Sequence, residues 1–256
     1  MSNPSPLGHG VWTIAHRGAS HERPENTLSS FDEALNQNCD AIELDLQLSR
    51  DGMPVVYHDR TLTKAGGGRR RVASLMLEEL RRLDAGAWFG PEFRGLSIPT
   101  LSEVLERYAS QTRLLLEIKL RADHTTRVRL VHAVADEVRR CRAEERVFLL
   151  CFDPELLGYA EKIAPELRRV INVGRISARR SGPRSQPADF DAVSVDVRAL
   201  TPRLAAGVRR SGRPLLTFTC NRASEVDRSL EAGAVGVMSD KPAWLSGYLG
   251  ESGGDR

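Results

Sequence analysis

Eight short runs of apolar and β-branched residues recur along the chain, and amphipathic stretches separate them. The runs are Val11–Ala15, Ala41–Leu46, Arg113–Ile118, Arg146–Cys151, Arg169–Val173, Ala192–Val195, Pro214–Thr219 and Val235–Met238. Several are too continuously apolar to keep one face in water, as expected of strands buried on both sides of a parallel sheet. The segments between them have helical spacing. Leu28, Phe31, Ala34 and Leu35 mark Asn26–Asn38, and Val128, Val131, Ala135 and Val138 mark Thr125–Arg142. Pro154–Ala164, Thr201–Arg210 and Ala223–Ala232 repeat the pattern. Gly212 and Gly233 follow the last two, where a left-handed C-cap belongs. Eight strands alternating with helices predict a parallel α/β fold. The chain's 256 residues suit one (β/α)8 TIM barrel, which needs about 250. An open doubly wound sheet is the competing arrangement. It normally places a glycine-rich phosphate loop after its first strand, whereas this first strand runs into Ala15-His16-Arg17-Gly18-Ala19.

Two segments interrupt the alternation. Residues 60–99 form an insertion after the second strand region. It carries Gly66-Gly67-Gly68, a short helix around Leu77–Leu83 and the aromatics Trp88, Phe89 and Phe93. Residues Arg175 to Phe190 are rich in Arg, Ser and Pro and are expected to form a loop in place of a barrel helix, at the active-site mouth. The barrel domain is expected over 11–249, between a flexible N-terminus (1–10) and a flexible C-terminus (250–256).

Composition excludes several classes. No apolar run approaches the ~20 residues that span a bilayer. The polar, Pro/Gly-containing start lacks the basic and apolar regions of a signal peptide, so a cytoplasmic location is expected. Cys39, Cys141, Cys151 and Cys220 lie far apart with no C-x-x-C pair, which suggests neither a zinc site nor a redox pair. Net charge is only +3, and the arginine runs have no flanking aromatics, so nucleic-acid binding is not expected. Oligomeric state is not legible at this level.

The chemistry is concentrated in a few strands. In Ile42-Glu43-Leu44-Asp45-Leu46, side chains at i and i+2 share a face. If the leucines and isoleucine pack against helices, Glu43 and Asp45 face the barrel lumen. Two carboxylates there call for a cationic partner, and oxygen ligands suit a hard divalent cation. A surface strand with salt-bridged acids is the alternative. Leu114-Leu115-Leu116-Glu117-Ile118-Lys119 offers a third carboxylate and a cation on one face, as metal ligand and phosphate partner or as a local ion pair. His16 ends the first strand and His58 ends Pro54-Val55-Val56-Tyr57-His58. Histidine suits proton transfer near neutral pH, although a strand-end histidine can be purely structural.

In order, His16-Arg17-Gly18, Pro24-Glu25-Asn26-Thr27, Glu43-Leu44-Asp45, Asp51-Gly52-x-Pro54, His58-Asp59 and Leu116-Glu117-Ile118-Lys119 resemble the glycerophosphodiester phosphodiesterase family. The resemblance continues through Phe152-Asp153-Pro154 and Thr217-Phe218-Thr219-Cys220-Asn221 to Gly236-Val237-Met238-Ser239-Asp240-Lys241-Pro242. It implies that Glu43, Asp45 and Glu117 ligate Mg²⁺ or Ca²⁺, that His16 and His58 form the acid/base pair, and that Arg17 and Lys119 hold the phosphate. Glu25 is expected to support the site and Thr27 to start the first helix. The implied reaction cleaves a small glycerophosphodiester to glycerol 3-phosphate and an alcohol. Water or the substrate's own 2-hydroxyl would be the nucleophile. A lysophospholipase D-like cleavage is the neighbouring reading, and a non-catalytic phosphodiester-binding barrel the reading from another class. Phe218 stands where the family has tryptophan, Ser239 where it has threonine and Cys151 where it has serine. The Phe218 change bears on how the glycerol or alcohol stacks. Trp88, Phe89 and Phe93 of the insertion pack on its own core, on the barrel or on substrate; in the last case Trp88 faces the leaving alcohol, where its ring would hold a choline ammonium.

Overall fold

The computed structural model describes residues 10–119, 123–175 and 190–253. Its strands are β1 (Trp12–His16), β2 (Ala41–Leu48), β3 (Pro54–Val56), β4 (Arg113–Ile118), β5 (Val147–Cys151), β6 (Arg168–Val173), β7 (Ala192–Asp196), β8 (Leu215–Phe218) and β9 (Ala234–Ser239). All but β3 pair in parallel, and β1 bonds to both β2 and β9, which closes an eight-stranded barrel. The antiparallel β3 pairs with the far end of β2, with Leu46 opposite Val56.

The helices are α1 (Leu28–Asn36), α2 (Leu77–Arg81), α3 (Leu101–Tyr108), α4 (His124–Cys141), α5 (Pro154–Ile163), α6 (Pro202–Arg210), α7 (Ala223–Glu231) and α8 (Pro242–Gly253). Oxygens of Thr27, Thr100, Asp123, Asp153 and Thr201 accept from first-turn N–H groups and so start α1, α3, α4, α5 and α6. Gly212 and Gly233 adopt φ of +68° and +83° after α6 and α7, the left-handed stops anticipated from sequence.

Alternation along β2 divides two cores. Ile42, Leu44 and Leu46 pack outward with Phe31, Leu105 and Val131 of the helices. Ala41 faces inward, where Trp12, Ile14, Leu115, Phe148, Val170, Leu216 and Met238 fill the lumen. Trp12 and Phe148 meet edge to face at 5.8 Å, and Arg113 and Arg168 lie over these two rings. Burying each large apolar side chain contributes about 1.5–3 kcal/mol. This plug leaves the polar residues above it open to the strands' C-terminal end.

The insertion has a small core of its own, built from Val55, Tyr57, Leu62, Val72, Leu75, Leu80 and Ile98. It returns to the barrel where Val56 N–H donates to the Pro99 carbonyl. At the other end of the chain, α8 continues to Gly253, past the boundary expected at 249. Ser246, Gly247 and Gly250 are weak helix formers, and docking carries the helix: Leu245 is buried beside Val226 and Val237. Most of the expected Arg175–Phe190 loop lies outside the described residues, as do 1–9 and 254–256 of the expected flexible termini.

Candidate active site

Three neighbouring strands bring the predicted ligands together. In the barrel register His16 is opposite Glu43, and Asp45 is opposite Glu117. Carboxylate oxygens of Glu43, Asp45 and Glu117 lie within 4.8 Å of one another, and all three side chains are deeply buried. Their protonation is unequal. Burial, reinforced by Asp45 and Glu117, pushes the Glu43 carboxyl well above the usual range. Burial raises Glu117 as well, against the pull of Lys119. For Asp45 burial also opposes ionisation, but Lys119 and then Arg17 outweigh it and hold the carboxyl below the usual range. A compact, all-oxygen set in which burial keeps two carboxyls from ionising on their own fits a hard divalent cation.

Cations and amides frame this cluster. Lys119 Nζ lies 2.7 Å from Asp45 Oδ1 and 2.6 Å from Glu117 Oε1. Arg17 Nε is 3.2 Å from Asp45 Oδ2, its Nη1 donates to Glu25 Oε2 at 3.0 Å, and its backbone N–H donates to Glu43 Oε2 at 3.1 Å. Asn26 Nδ2 donates to Asp45 Oδ2 at 2.7 Å, and its Oδ1 accepts from the Asp45 N–H at 3.1 Å. Asn172 Nδ2 reaches Glu117 Oε2 at 3.3 Å. The turn after β1 sets these angles. Arg17 and Asn26 both take positive φ, as does Gly18 at +81°. A Cβ on Gly18 would lie 2.5 Å from Ser30 Oγ, so only glycine lets this turn rest on α1.

Each histidine is anchored through Nδ1. His16 Nδ1 is 2.5 Å from Asp240 Oδ1, and its Nε2 is 4.0 Å from Glu43 Oε2. His58 Nδ1 is 2.8 Å from Asp59 Oδ1. The peptide carrying His58 is itself tied down, because Gln47 Nε2 donates to the carbonyls of Tyr57 and Asp59. Burial, with Arg17 and Lys119, holds the His58 pKa below its ordinary value against the opposing pull of Asp45. Glu25, His58 and Asp59 also lie within 4.8 Å of one another, but the ammonium of Lys64 sits among them, 2.9 Å from Glu25 Oε1 and 3.7 Å from Asp59 Oδ2. That group is an ion-pair network on the rim.

The model of the glycerophosphoryl diester phosphodiesterase family matches residues 16–244. This chain belongs to that family. A glycerophosphodiester phosphodiesterase from Caldanaerobacter subterraneus subsp. tengcongensis is 31% identical over 94% of this chain and 98% of its own length. A phosphodiesterase from Oleispira antarctica, solved in complex with the product sn-glycerol-3-phosphate, is 29% identical with a TM-score of 0.82, covering 94% of this chain and 97% of that one. The glycerophosphodiester phosphodiesterase of Agrobacterium tumefaciens str. C58 is 28% identical with a TM-score of 0.76, covering 91% and 97%.

Two further residues expected to touch substrate lie on different parts of this family member's rim. Phe218 ends β8, packs on the lumen cluster and meets Phe152 edge to face at 6.0 Å. Trp88 is 41% exposed and stands outside the insertion's core. Its Nε1 donates to the Ala85 carbonyl, and Lys64 Nζ lies 4.5 Å from its ring centre. Since Lys64 also bonds Glu25, and Glu25 bonds Arg17, Trp88 is linked to the charged centre through two ion pairs. Phe93, by contrast, is buried.

Sequence reasoning did not assign Asn26, Asn172, Asp240 or Asn221. Asn26, Asn221 and Asp240 stand inside motifs noted above, so the signal was present for them; Asn172 stands in none. What no local rule supplies is the partner. Asp240 meets a histidine 224 positions away, and Asn26 meets a carboxylate on the next strand.

Proposed function

We propose that this chain hydrolyses small glycerophosphodiesters to sn-glycerol 3-phosphate and an alcohol, with a divalent cation at Glu43, Asp45 and Glu117 and with His16 and His58 as the acid/base pair. The observation that carries this reading is the matched anchoring of the two histidines beside the carboxylate cluster. Each Nδ1 is engaged by a carboxylate, which leaves each Nε2 as the free ring nitrogen. One such nitrogen takes a proton from the nucleophile, and the other gives one to the leaving alkoxide. The nucleophile is water or the substrate's glycerol 2-hydroxyl. Arg17 and Lys119 are the cations placed to hold phosphate oxygens as negative charge builds. Asn26 keeps Asp45 in line through its two hydrogen bonds. When bound, Mg²⁺ or Ca²⁺ would polarise the phosphoryl oxygen as a Lewis acid.

Among the described residues, Met76 and Trp88 are the only large hydrophobic side chains that stand exposed. That is little surface for an acyl chain, which favours water-soluble diesters over lysophospholipids. Among the described residues, no helix is long and apolar enough to cross a membrane. The four free cysteines suit the cytoplasm. The test is choline release from glycerophosphocholine. Activity should disappear on chelation and return with Mg²⁺ or Ca²⁺. Glu43→Gln and Glu117→Gln should each remain folded and lose most of it. Full activity after thorough chelation would overturn the metal-dependent reading.

A further inference from the structure

Each carboxylate of the acidic cluster is held through one oxygen by an N–H donor of its own. Glu43 Oε2 accepts from the Arg17 backbone N–H at 3.1 Å, Asp45 Oδ2 from Asn26 Nδ2 at 2.7 Å, and Glu117 Oε2 from Asn172 Nδ2 at 3.3 Å. These donors come from different places: the turn after β1, the loop before α1, and β6. The second oxygens of two of the carboxylates meet. Asp45 Oδ1 and Glu117 Oε1 lie 2.7 Å and 2.6 Å from the same ammonium, that of Lys119. The oxygens that are held and the oxygens that converge on a cationic point are therefore different atoms. Turning either carboxylate to present both oxygens to that point would break its bond to the amide.

Asn172 is the least expected of the donors. Val170 belongs to the lumen cluster and Ile171 to the outer core, so the alternation of β6 turns Asn172 inward. It is 3% exposed, and its Oδ1 is buried with no hydrogen-bond partner among the described residues. Its register partner on β7, Ser194, makes no side-chain bond to it. An acceptor buried unpaired costs stability, and an apolar side chain would fill the position without that cost. What the amide does make is the bond to Glu117.

Such an arrangement discriminates between hard cations. Ca²⁺ gathers about six to eight oxygens in flexible geometry and commonly takes both oxygens of a carboxylate, whereas Mg²⁺ is smaller, keeps several waters and needs few protein oxygens. A carboxylate tied by one oxygen to a fixed donor offers the other oxygen singly.

We propose that Asn172 is a positioning residue that keeps Glu117 to one metal-facing oxygen, and that the site is thereby tuned to Mg²⁺ over Ca²⁺. The proposal rests on the reading that Glu43, Asp45 and Glu117 hold the cation. Asn172 acts through Glu117, as Asn26 acts through Asp45. Because Asn172 stands outside every motif quoted above, the preference belongs to this chain rather than to the motif set.

The test is metal binding to the full-length protein, by titration calorimetry after chelator treatment, with Mg²⁺ and Ca²⁺ in separate runs. The wild type should bind Mg²⁺ more tightly. In Asn172→Leu the Kd for Mg²⁺ should rise roughly tenfold, while that for Ca²⁺ should fall or change by less than about threefold. Asn172→Ala should shift the preference in the same direction, and it serves where Asn172→Leu does not fold. The rise in melting temperature produced by each ion gives the same comparison by a second readout. A wild type that prefers Ca²⁺, or variants that weaken both ions equally or neither, overturn the proposal and leave the metal site standing. If the wild type binds neither ion, or if Glu117→Gln binds both as well as the wild type does, the metal reading itself falls and the proposal falls with it.

Discussion

Asp240 Oδ1 lies 2.5 Å from His16 Nδ1. The same carboxylate accepts from Asn221 Nδ2 at 2.6 Å and from Ser20 Oγ at 3.2 Å, so it is itself held from two further elements. An ionised Asp240 accepts the Nδ1 proton and leaves the His16 Nε2 lone pair toward the carboxylate cluster. Asp240→Asn removes that preference, because its amide can donate to Nδ1 and force the opposite tautomer. We expect kcat to fall on the order of 10²-fold with KM little changed. Asp240→Glu should recover part of the loss. A kcat within twofold of wild type in Asp240→Asn would exclude this positioning role.

The same pair makes a pH prediction. Burial works against ionisation of Asp240, but the hydrogen bond and charge of His16, with Asn221 and Ser20, lower its pKa from 3.8 to about 2. A depressed carboxyl contributes stability that is present above its unfolded value and lost as pH falls through its folded value. Wild-type stability should therefore drop between about pH 4 and pH 2, and Asp240→Asn should flatten that part of the curve. Denaturant unfolding at intervals across this range tests it. Parallel curves for the two proteins would rule the linkage out.

Gly18 combines a left-handed backbone with a close approach to α1. An added Cβ would meet Ser30 Oγ at 2.5 Å, and φ is +81°. Gly18→Ala should cost about 2–4 kcal/mol through clash and a left-handed backbone. Because Arg17 precedes it and bonds Glu43 through its N–H, activity should fall further than the stability loss explains. A melting temperature equal to wild type would show that the turn relaxes at no cost.

Trp88 offers a separable effect on specificity. It is exposed and lies outside the insertion's core, so Trp88→Ala should leave the melting temperature nearly unchanged. If its ring faces a choline ammonium, turnover of glycerophosphocholine should weaken by about 0.5–2 kcal/mol more than that of glycerophosphoglycerol. Equal losses on both substrates together with a lower melting temperature would make Trp88 a packing residue.

The paired histidines should act in one step. His16→Ala and His58→Ala should each lose about 10²–10⁴-fold in rate, and the double variant should lose far less than the product of the two. A single variant with wild-type rate would remove that histidine from the mechanism.

The eight barrel strands were legible because burial on both faces leaves short runs rich in apolar and β-branched residues, a signature readable in any one segment. The placement of Glu43 and Asp45 in the lumen was legible for a similar reason. The period of a strand is two, and Ile42, Leu44 and Leu46 claimed the helix-facing side. Long helices with a clear apolar stripe, such as α4, were equally visible, whereas the eight-residue α3, which follows directly on the insertion, was not named. Helix α8 was not, since glycines and serines dilute its pattern and its stability comes from docking on β1 and β9.

The amino-acid sequence by itself determined the eight barrel strands, the inward carboxylates and which histidines stand at strand ends, because these follow from local periodicity; the short antiparallel β3 was not among the strands it showed. Only the tertiary structure decided the partners. Barrel closure sets Asp240 of the last strand's loop against His16 of the first, Asn26 against Asp45, and Lys119 between two carboxylates. Such pairings join residues from different strands and loops, and their energies depend on distances that exist only once the ring has closed.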